Sequence, residues 1–517
     1  MDNKKTKFLK RSMYLILFLF PFLLSMFGSI KAFSGIKTDK TFSVLIMVIV
    51  ILILFLLCNI IKRINKIKRV DKFINIPIII FLSAFIFRLF SVYILGNKIE
   101  QISDFLLAHN NAINGIKGNS YIATFSHWAL YPKILSFFYN IFGSKFFIGQ
   151  MINVTLASIV AVLMYYITIL VFNSVKPAII VSIVYLLWPS NILYVNIYTN
   201  EFFAMFFLTT CILISLKCID NENSENNYKN IILFVILGML LAISDFFKPF
   251  SMIIIISFLI TQILYNLSSF KFLKFKELCK LKKVNIKNNK IVLTILMIFI
   301  YCFSRQIIFV YLEGQMELKV NKSALAYSIY VGLDVNNGGV YSDEAIKKYS
   351  SLIESNYGNY NKANEKIIKD AKLNLKENYK LIPKLFDEKI NISWFSEIQQ
   401  VERWIIYNIK DEGFLKNDIG KLTISISQLY YMSMIFFILI SIIISFNRLD
   451  NKKLFLCSLY VLGIACAFLL TEAQGRYKSV IIPMLSLLAG WGIYNISTKI
   501  EDVIKSLLTY YKKINTL

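Results

Sequence analysis

Histidine is almost missing from this chain: its 517 residues hold two, His109 and His127. No Cys-x-x-Cys pair and no Cys/His spacing of a metal site occurs, so no zinc-type motif is available. The seven cysteines, Cys58, Cys211, Cys218, Cys279, Cys302, Cys457 and Cys466, fall in apolar runs or basic loops, and no disulfide framework is implied. Acidic residues are scarce, 31 against 57 Lys plus Arg, for a net charge of +26. In a soluble chain that balance would point to nucleic acid. No aromatic-basic nucleic-acid module is present, however. The Lys and Arg residues sit in short loops between apolar runs, where they set topology and meet anionic lipid. Internal repeats and low-complexity linkers are also lacking. The apolar runs show no strand-like alternation, which excludes an outer-membrane barrel. Lys4 to Arg11 with the apolar run behind it imitates a signal peptide, but no small-residue cleavage pattern follows, so it reads as a retained first helix.

What the chain does have is hydrophobicity: 57% of its residues are apolar and its mean hydropathy is +0.60. Many uninterrupted runs approach or exceed the roughly 20 residues that span a bilayer. These features predict an all-α polytopic membrane protein with about twelve transmembrane helices. The helices are placed near 13–30, 42–61, 76–95, 147–172, 177–194, 200–217, 230–244, 250–267, 291–312, 424–446, 454–471 and 478–496. Twelve spans put both termini on one side. The basic loops Lys4–Arg11, Lys62–Lys72, Lys271–Lys290, Arg448–Lys453 and Lys499–Lys513 all fall on that side, which the positive-inside rule makes cytoplasmic. The chain then divides into 1–75 (two helices and a basic loop), 76–312 (a membrane core with an external loop, 96–146), 313–423 (a small, mainly helical external segment) and 424–517 (the last helices and a cytoplasmic tail). The weight of Lys, Ile and Asn fits an AT-rich, bacterial genome in a multi-pass cell-membrane protein.

The external loop from Lys98 to Lys145 is too polar for lipid and holds both histidines. Asp104 to Ile116 reads as an amphipathic helix with Phe105, Ala108, Ala112 and Ile116 on one side. Topology places Asp104, Glu201, Lys248, Glu472, Arg476 and Lys478 at the same depth on the external face. Charges at helix ends near lipid are costly unless they face a partner or a wet cavity. The chemistry that fits is transfer from a lipid-linked donor: a carboxylate takes a proton from an acceptor hydroxyl, while Arg and Lys hold a phosphate leaving group. Asp104 is the preferred base, over a role as helix N-cap. His109 lies about 140° from Asp104 on an ideal helix, which disfavours a shared metal, whereas Asn111 shares the Asp104 face. A surface or substrate-contact role is read for both histidines.

Plainer readings stand beside these. Glu201 suits the first turn of a helix by the dipole alone. Arg476 and Lys478 suit snorkelling, and Lys248-Pro249 suits a helix break. Trp128, Trp188 and Tyr194 read as aromatic-belt anchors, and Asp334 as a turn residue.

The order of these motifs resembles a known family. An acid in the first large external loop is followed by Tyr131-Pro132, Tyr139-Asn140-Ile141-Phe142-Gly143, Gln150-Met151-Ile152-Asn153, Trp188-Pro189-Ser190 with Glu201, Lys248-Pro249, and Glu472…Arg476-Tyr477 with Pro483. Over roughly residues 76 to 496 this is similar to the GT-C superfamily of integral-membrane glycosyltransferases. The branch it looks like most contains protein O-mannosyltransferases and the lipid A aminoarabinose transferase. The resemblance implies inverting transfer of a sugar from a polyprenyl-phosphate donor to an extracytoplasmic acceptor (glycan, lipid or protein). It implies Asp104 as base, Glu201 in support of substrate or of a metal, and Lys248, Arg476 and Lys478 at the donor phosphate. His109, Asn111 and Glu472 complete the expected substrate contacts. Two features depart from the family: two helices precede its core, and the first-loop acid is a single Asp, which leaves a divalent metal open. The rival reading is a transporter or flippase of lipid-linked saccharides, which would carry polar residues near the midplane; here Arg88 and Arg305 are the main charges inside helices. An oligosaccharide ligase or polymerase and an inactive relative are the remaining alternatives.

Overall fold

The computed structural model describes residues 18–34, 40–63, 75–220, 227–266, 290–323, 325–410, 413, 415–445 and 451–514. The N-terminal Lys4–Arg11 cluster, the loop stretches 64–74, 267–289 and 446–450, and Cys279 lie outside the described residues. The described residues are helical, with one isolated bridge between Ile99 and Ile409.

The first half of the chain forms α1 (Phe20–Ser34), α2 (Lys40–Arg63), α3 (Ile76–Leu95), α4 (Ser103–Asn114), α5 (Leu130–Phe142), α6 (Phe146–Phe172), α7 (Val175–Leu186), α8 (Glu201–Asp220), α9 (Asn227–Asp245) and α10 (Ser251–Asn266). The second half forms α11 (Lys290–Met316), α12 (Leu325–Gly332), α13 (Asp343–Ser355), α14 (Tyr360–Glu377), α15 (Ile382–Ile390), α16 (Ile398–Trp404), α17 (Gly420–Ser445), α18 (Lys452–Leu470) and α19 (Ile482–Ile514). A helix occupies each apolar segment expected from the sequence. Among the described residues, 9 helices are long and apolar enough to cross a membrane: α2, α3, α6, α8, α9, α11, α17, α18 and α19 with the turn before it. α7 and α10 are shorter apolar helices. Outward side chains of the long helices, among them Leu52 and Leu56 on α2, Phe90 on α3 and Phe299 and Ile307 on α11, are exposed apolar groups, a surface that suits hydrocarbon and not water.

The chain breaks where its chemistry requires. The helix expected over 177–194 stops at Leu186 and restarts as a short turn, Pro189–Tyr194. Pro189 has no N–H to give, and Trp188 before it is held extended, at φ -67 and ψ 108, as a following proline demands. Asn side chains cap other starts: Asn359 accepts from the Lys362 N–H, and Asn451 accepts from those of Lys453 and Leu454. α17 and α19 pack closely enough that Gly492 lies against the Phe437 carbonyl. α4 and α5 lie across one end of the bundle, packed on each other.

The segment 313–423 is part of the same packing. The Trp394 indole N–H donates to Ser25 on α1. The buried Lys389 ammonium donates to the carbonyls of Gly332 and Leu469, the latter at 2.8 Å, and burial pushes it down to about 7 against the charge of Glu472. Trp404 on α16 meets Phe105 on α4 edge-on at 5.3 Å. These helices therefore form one wall of the bundle end that carries the charged residues. The Asp334 turn is as expected, its carboxylate accepting from the Asn336 N–H at 3.1 Å.

A β-carbon at Gly492 would collide with the Phe437 backbone, and overpacking of this kind costs about 1–3 kcal/mol. Gly492→Val is expected to lower the thermal unfolding midpoint in detergent, whereas Gly314→Ala, with nothing near its β-carbon, is expected not to.

Candidate active site

Four segments far apart in sequence bring charge to one point. Asp104 stands in the first turn of α4. That helix begins without a side-chain cap, so the Asp104 carboxylate is not spent on capping. It accepts from the Tyr121 hydroxyl at 3.0 Å and from Arg476 Nη2 at 2.8 Å. Glu201, the first residue of α8, is fully buried. Its Oε1 lies 3.1 Å from Lys248 Nζ and 3.8 Å from Arg476 Nε. Gln474 accepts from Arg476 Nε at 2.5 Å and donates to Glu472, which joins the third acid to the group. Arg476 is 3% exposed and Lys248 5%, so both charges are out of water. Arg476 Nη1 has no hydrogen-bond partner among the described residues.

Aromatic faces replace the missing solvent. The Arg476 guanidinium lies 5.0 Å from the Phe105 ring centre and 4.8 Å from that of Trp404. Lys248 Nζ lies 4.3 Å from the centre of Tyr477 and 5.8 Å from that of Trp128. Stacked over a ring, a desolvated cation keeps part of its stabilisation.

The backbone under the site is pinned by buried amides. Asn153 donates to the Val195 and Ile197 carbonyls, the second at 2.7 Å. Gln150 donates to those of Gly96 and Asn196, and Gln101 both donates to the Asn196 carbonyl and accepts from the Tyr198 N–H. Asn200 donates to the Phe247 carbonyl at 2.8 Å and to that of His127 at 3.4 Å. The turn-and-bend stretch before Glu201 is thereby tied to the residues just before α4, to α6 and to the Lys248 turn. Asp245 closes that turn by accepting from the Ser251 N–H at 3.1 Å and from the Tyr301 hydroxyl at 2.6 Å.

The other expected residues divide. Asn111, seven places from Asp104, lines a cavity of about 10 Å³ with Asp104, Tyr121 and Trp128; that volume holds no more than one water. His109 is elsewhere: it is buried, bonded to the Tyr139 hydroxyl at 2.8 Å and stacked on Phe146, so it is neither a surface residue nor part of the charged group. Lys478 is also elsewhere. It pairs with Glu397 at 2.9 Å and lies 3.9 Å from the Tyr431 ring centre. The turn Gly475–Ile481 is a 3-10 helix, and with three residues per turn a two-residue offset sends Lys478 to a different side from Arg476. Trp128, Trp188 and Tyr194 are buried, not belt anchors: a ring over a buried lysine or inside the bundle cannot reach the lipid headgroups. His127, read with His109 as a surface or substrate-contact residue, lies within electrostatic reach of Lys248, Asp104 and Arg476. Its proximity to these groups follows from packing, and its neighbours in sequence gave no signal of it.

Burial and charge set the protonation states. Burial raises the Asp104 carboxyl, but the Arg476 charge and the hydrogen bonds from Arg476 and Tyr121 outweigh it and hold the group below the usual carboxylate range. Burial pushes Glu472 up, with Gln474 and Arg476 opposing. Burial also pulls Lys248 below its ordinary value, and Glu201 offsets this only in part. His127 is pushed down to about 3 by burial and by the Lys248 charge; it is neutral in the folded state, and its Nδ1 has no partner among the described residues. No group of three or more His, Cys, Asp or Glu able to hold a metal occurs among the described residues. The two central carboxylates each face a cation already, so the donor set does not fit a divalent ion.

Two larger cavities flank α5. One, about 410 Å³ and apolar, is lined by Phe138, Phe142, Met151, Ile152, Leu156 and Phe203 among others. Phe203 stacks on Phe247 with ring centres 4.9 Å apart, next to Lys248. The other, about 400 Å³, is lined by Asn111, Lys117, Lys133, Ser136, Asn140 and Gln315 among others. No protein-family model matches the chain, and a comparison with curated proteins finds no match.

Two measurements test this description. Removing Lys248 leaves Glu201 as a buried charge short of one partner, a loss that typically costs about 3–5 kcal/mol. Lys248→Met is expected to lower the unfolding midpoint strongly, and adding Glu201→Gln to recover much of the loss. For His127 the folded value lies below the unfolded one, so the unfolded chain binds the extra proton and stability falls as pH drops from about 6.5 toward 3. The stability difference between the parent and His127→Gln should therefore shrink below pH ~6.5, by at most about 1.4 kcal/mol per pH unit; a pH-independent difference would contradict the burial of a neutral ring.

Proposed function

We propose that this chain is a membrane glycosyltransferase that moves a sugar, with inversion, from a polyprenyl-phosphate donor to an acceptor on the extracytoplasmic side. On this reading twelve helices span the cell membrane of a bacterium and the termini are cytoplasmic. The helices α4 and α5, together with segment 313–423, face outward. The observation that carries the reading is the convergence of Asp104, Glu201, Lys248 and Arg476 at one end of an apolar bundle. Paired acids and bases of this kind, desolvated and aromatic-lined, suit a reaction that takes up one proton and develops one negative charge.

Asp104 accepts the proton of an acceptor hydroxyl as its oxygen bonds to the sugar C1. The C1–O bond to the donor phosphate breaks, and the electron pair leaves with the phosphate. Arg476 and Lys248 hold that growing charge, while Glu201 fixes both cations. The apolar groove beside α5 and α6 suits a prenyl tail whose head reaches Lys248 past Phe203. The polar cavity on the other side of α5, which shares Asn111 with the small cavity at Asp104, suits the acceptor.

One observation favours the second reading, a transporter of lipid-linked saccharides. Arg88, inside α3, is fully buried; its Nη2 lies 3.5 Å from Asn191 Oδ1 and its guanidinium 5.2 Å from the Tyr185 ring centre, beside the broken helix at Trp188-Pro189. Polar groups at broken helices within the bilayer are a transporter trait.

Membranes supplied with a panel of radiolabelled polyprenyl-phosphate sugars separate the two. Label is expected to pass to a new product with the parent chain and to fall by about 100-fold or more with Asp104→Asn at equal expression, as for a lost general base. Equal transfer by both would remove Asp104 from the mechanism. Movement of labelled lipid across the membrane without any transfer would replace the enzyme by the transporter.

A further inference from the structure

Arg476 is asked to do two things that exclude each other. Its Nη2 is on Asp104 at 2.8 Å and its Nε faces Gln474 and Glu201, yet the proposed donor needs the same guanidinium for its phosphate. The space next to Asp104 is a cavity of about 10 Å³, too small for any substrate group. A carboxylate held by a guanidinium is also a weak base. The arrangement is therefore a site whose base and cation occupy each other, while 21% of the Asp104 side chain stays exposed.

We infer that the Asp104–Arg476 ion pair is an autoinhibitory contact, and that the anionic phosphodiester of a lipid-linked sugar headgroup opens it by taking Arg476 from Asp104. This rests on the donor reading above and adds the control of that site. The charges make the exchange self-consistent. The formal charges of Asp104, Glu201, Lys248 and Arg476 sum to zero, so the charge of an incoming phosphate is offset only when Asp104 takes up a proton. The exchange leaves Asp104 without its cation, which raises its proton affinity, and the acceptor hydroxyl supplies the proton. The base is thus strengthened only when a donor is in place, and the water-sized space at Asp104 widens as the guanidinium leaves. Arg476 Nη1, buried and without a hydrogen-bond partner among the described residues, is a second donor for the headgroup once the pair has opened. Arg476 and Asp104 come from segments separated by 372 positions, so loosening their contact also frees α4 from the turn before α19.

The test is a binding measurement and needs no sugar. The full chain in nanodiscs is titrated with radiolabelled dodecyl methyl phosphate, a sugar-free phosphodiester, with dodecanol as the uncharged control, while the emission of Trp404, assigned with Trp404→Phe, reports the guanidinium stacked on it. Saturable binding of the phosphate and a change in Trp404 emission are expected, with neither for dodecanol. The decisive result is the effect of Asp104→Asn: losing the competing carboxylate should tighten phosphate binding on the order of tenfold, and Arg476→Gln should abolish it. Tyr121→Phe removes a hydrogen bond to Asp104 but not its charge, and should not tighten binding. Asp104→Ser is a second neutral variant in case Asp104→Asn does not fold. Unchanged or weaker binding in the neutral variants, or binding that survives Arg476→Gln, overturns the inference. Tighter binding in Asp104→Asn with no sugar transferred from any donor upholds this exchange and defeats only the transferase. Transfer by the parent without tightening defeats only the exchange.

Discussion

A carboxylate and a guanidinium taken out of water lose hydration that a single ion pair seldom restores. Among Asp104, Glu201, Lys248 and Arg476, the two cations each meet a carboxylate and an aromatic face at once. Everything around them serves that arrangement. The buried amides of Gln101, Gln150, Asn153 and Asn200 hold the backbone before Glu201, so its carboxylate has one place to go. Asp245 and Ser251 hold the turn that carries Lys248. Lys389 holds the Gly332 turn to the end of α18, which sets the start of the Glu472–Arg476 loop. If any of these supports loosened, a buried charge would lose its partner, and the loss would exceed the value of the hydrogen bond itself.

The same desolvation gives the site its chemical character. In water the four side chains would be ordinary ions with weak mutual influence. Behind Phe105, Trp128, Trp404 and Tyr477 each is felt by the others, and the protonation of one depends on the position of the next. The neutral His127 and the low affinity of Asp104 for protons in this paired state are two consequences of one field.

Much of this was legible in the residues. Apolar runs located the helices, because length and hydropathy decide what a bilayer accepts. The 3.6-residue period placed Asn111 on the Asp104 face and His109 off it, as the side chains are found. Topology grouped Lys478 with Arg476 by depth alone, but a two-residue offset sends side chains to different sides in an α-helix and a 3-10 helix alike; hydropathy likewise missed the break at Pro189. It was silent about Glu397, the partner of Lys478, and about Trp404, because both come from the segment between α11 and α17 that read as a separate external piece.

The sequence by itself determined a polytopic helical chain and which charged residues stand at helix ends, since these depend on local hydropathy and on spacing along one chain. Only the tertiary structure decided which of those charges meet. Arg476 reaches Asp104 and Lys478 does not, although they are two residues apart, because pairing depends on backbone twist and on what distant segments place opposite. The same holds for His127, which has no local signal and acquires its neutral state from the neighbours that packing supplies.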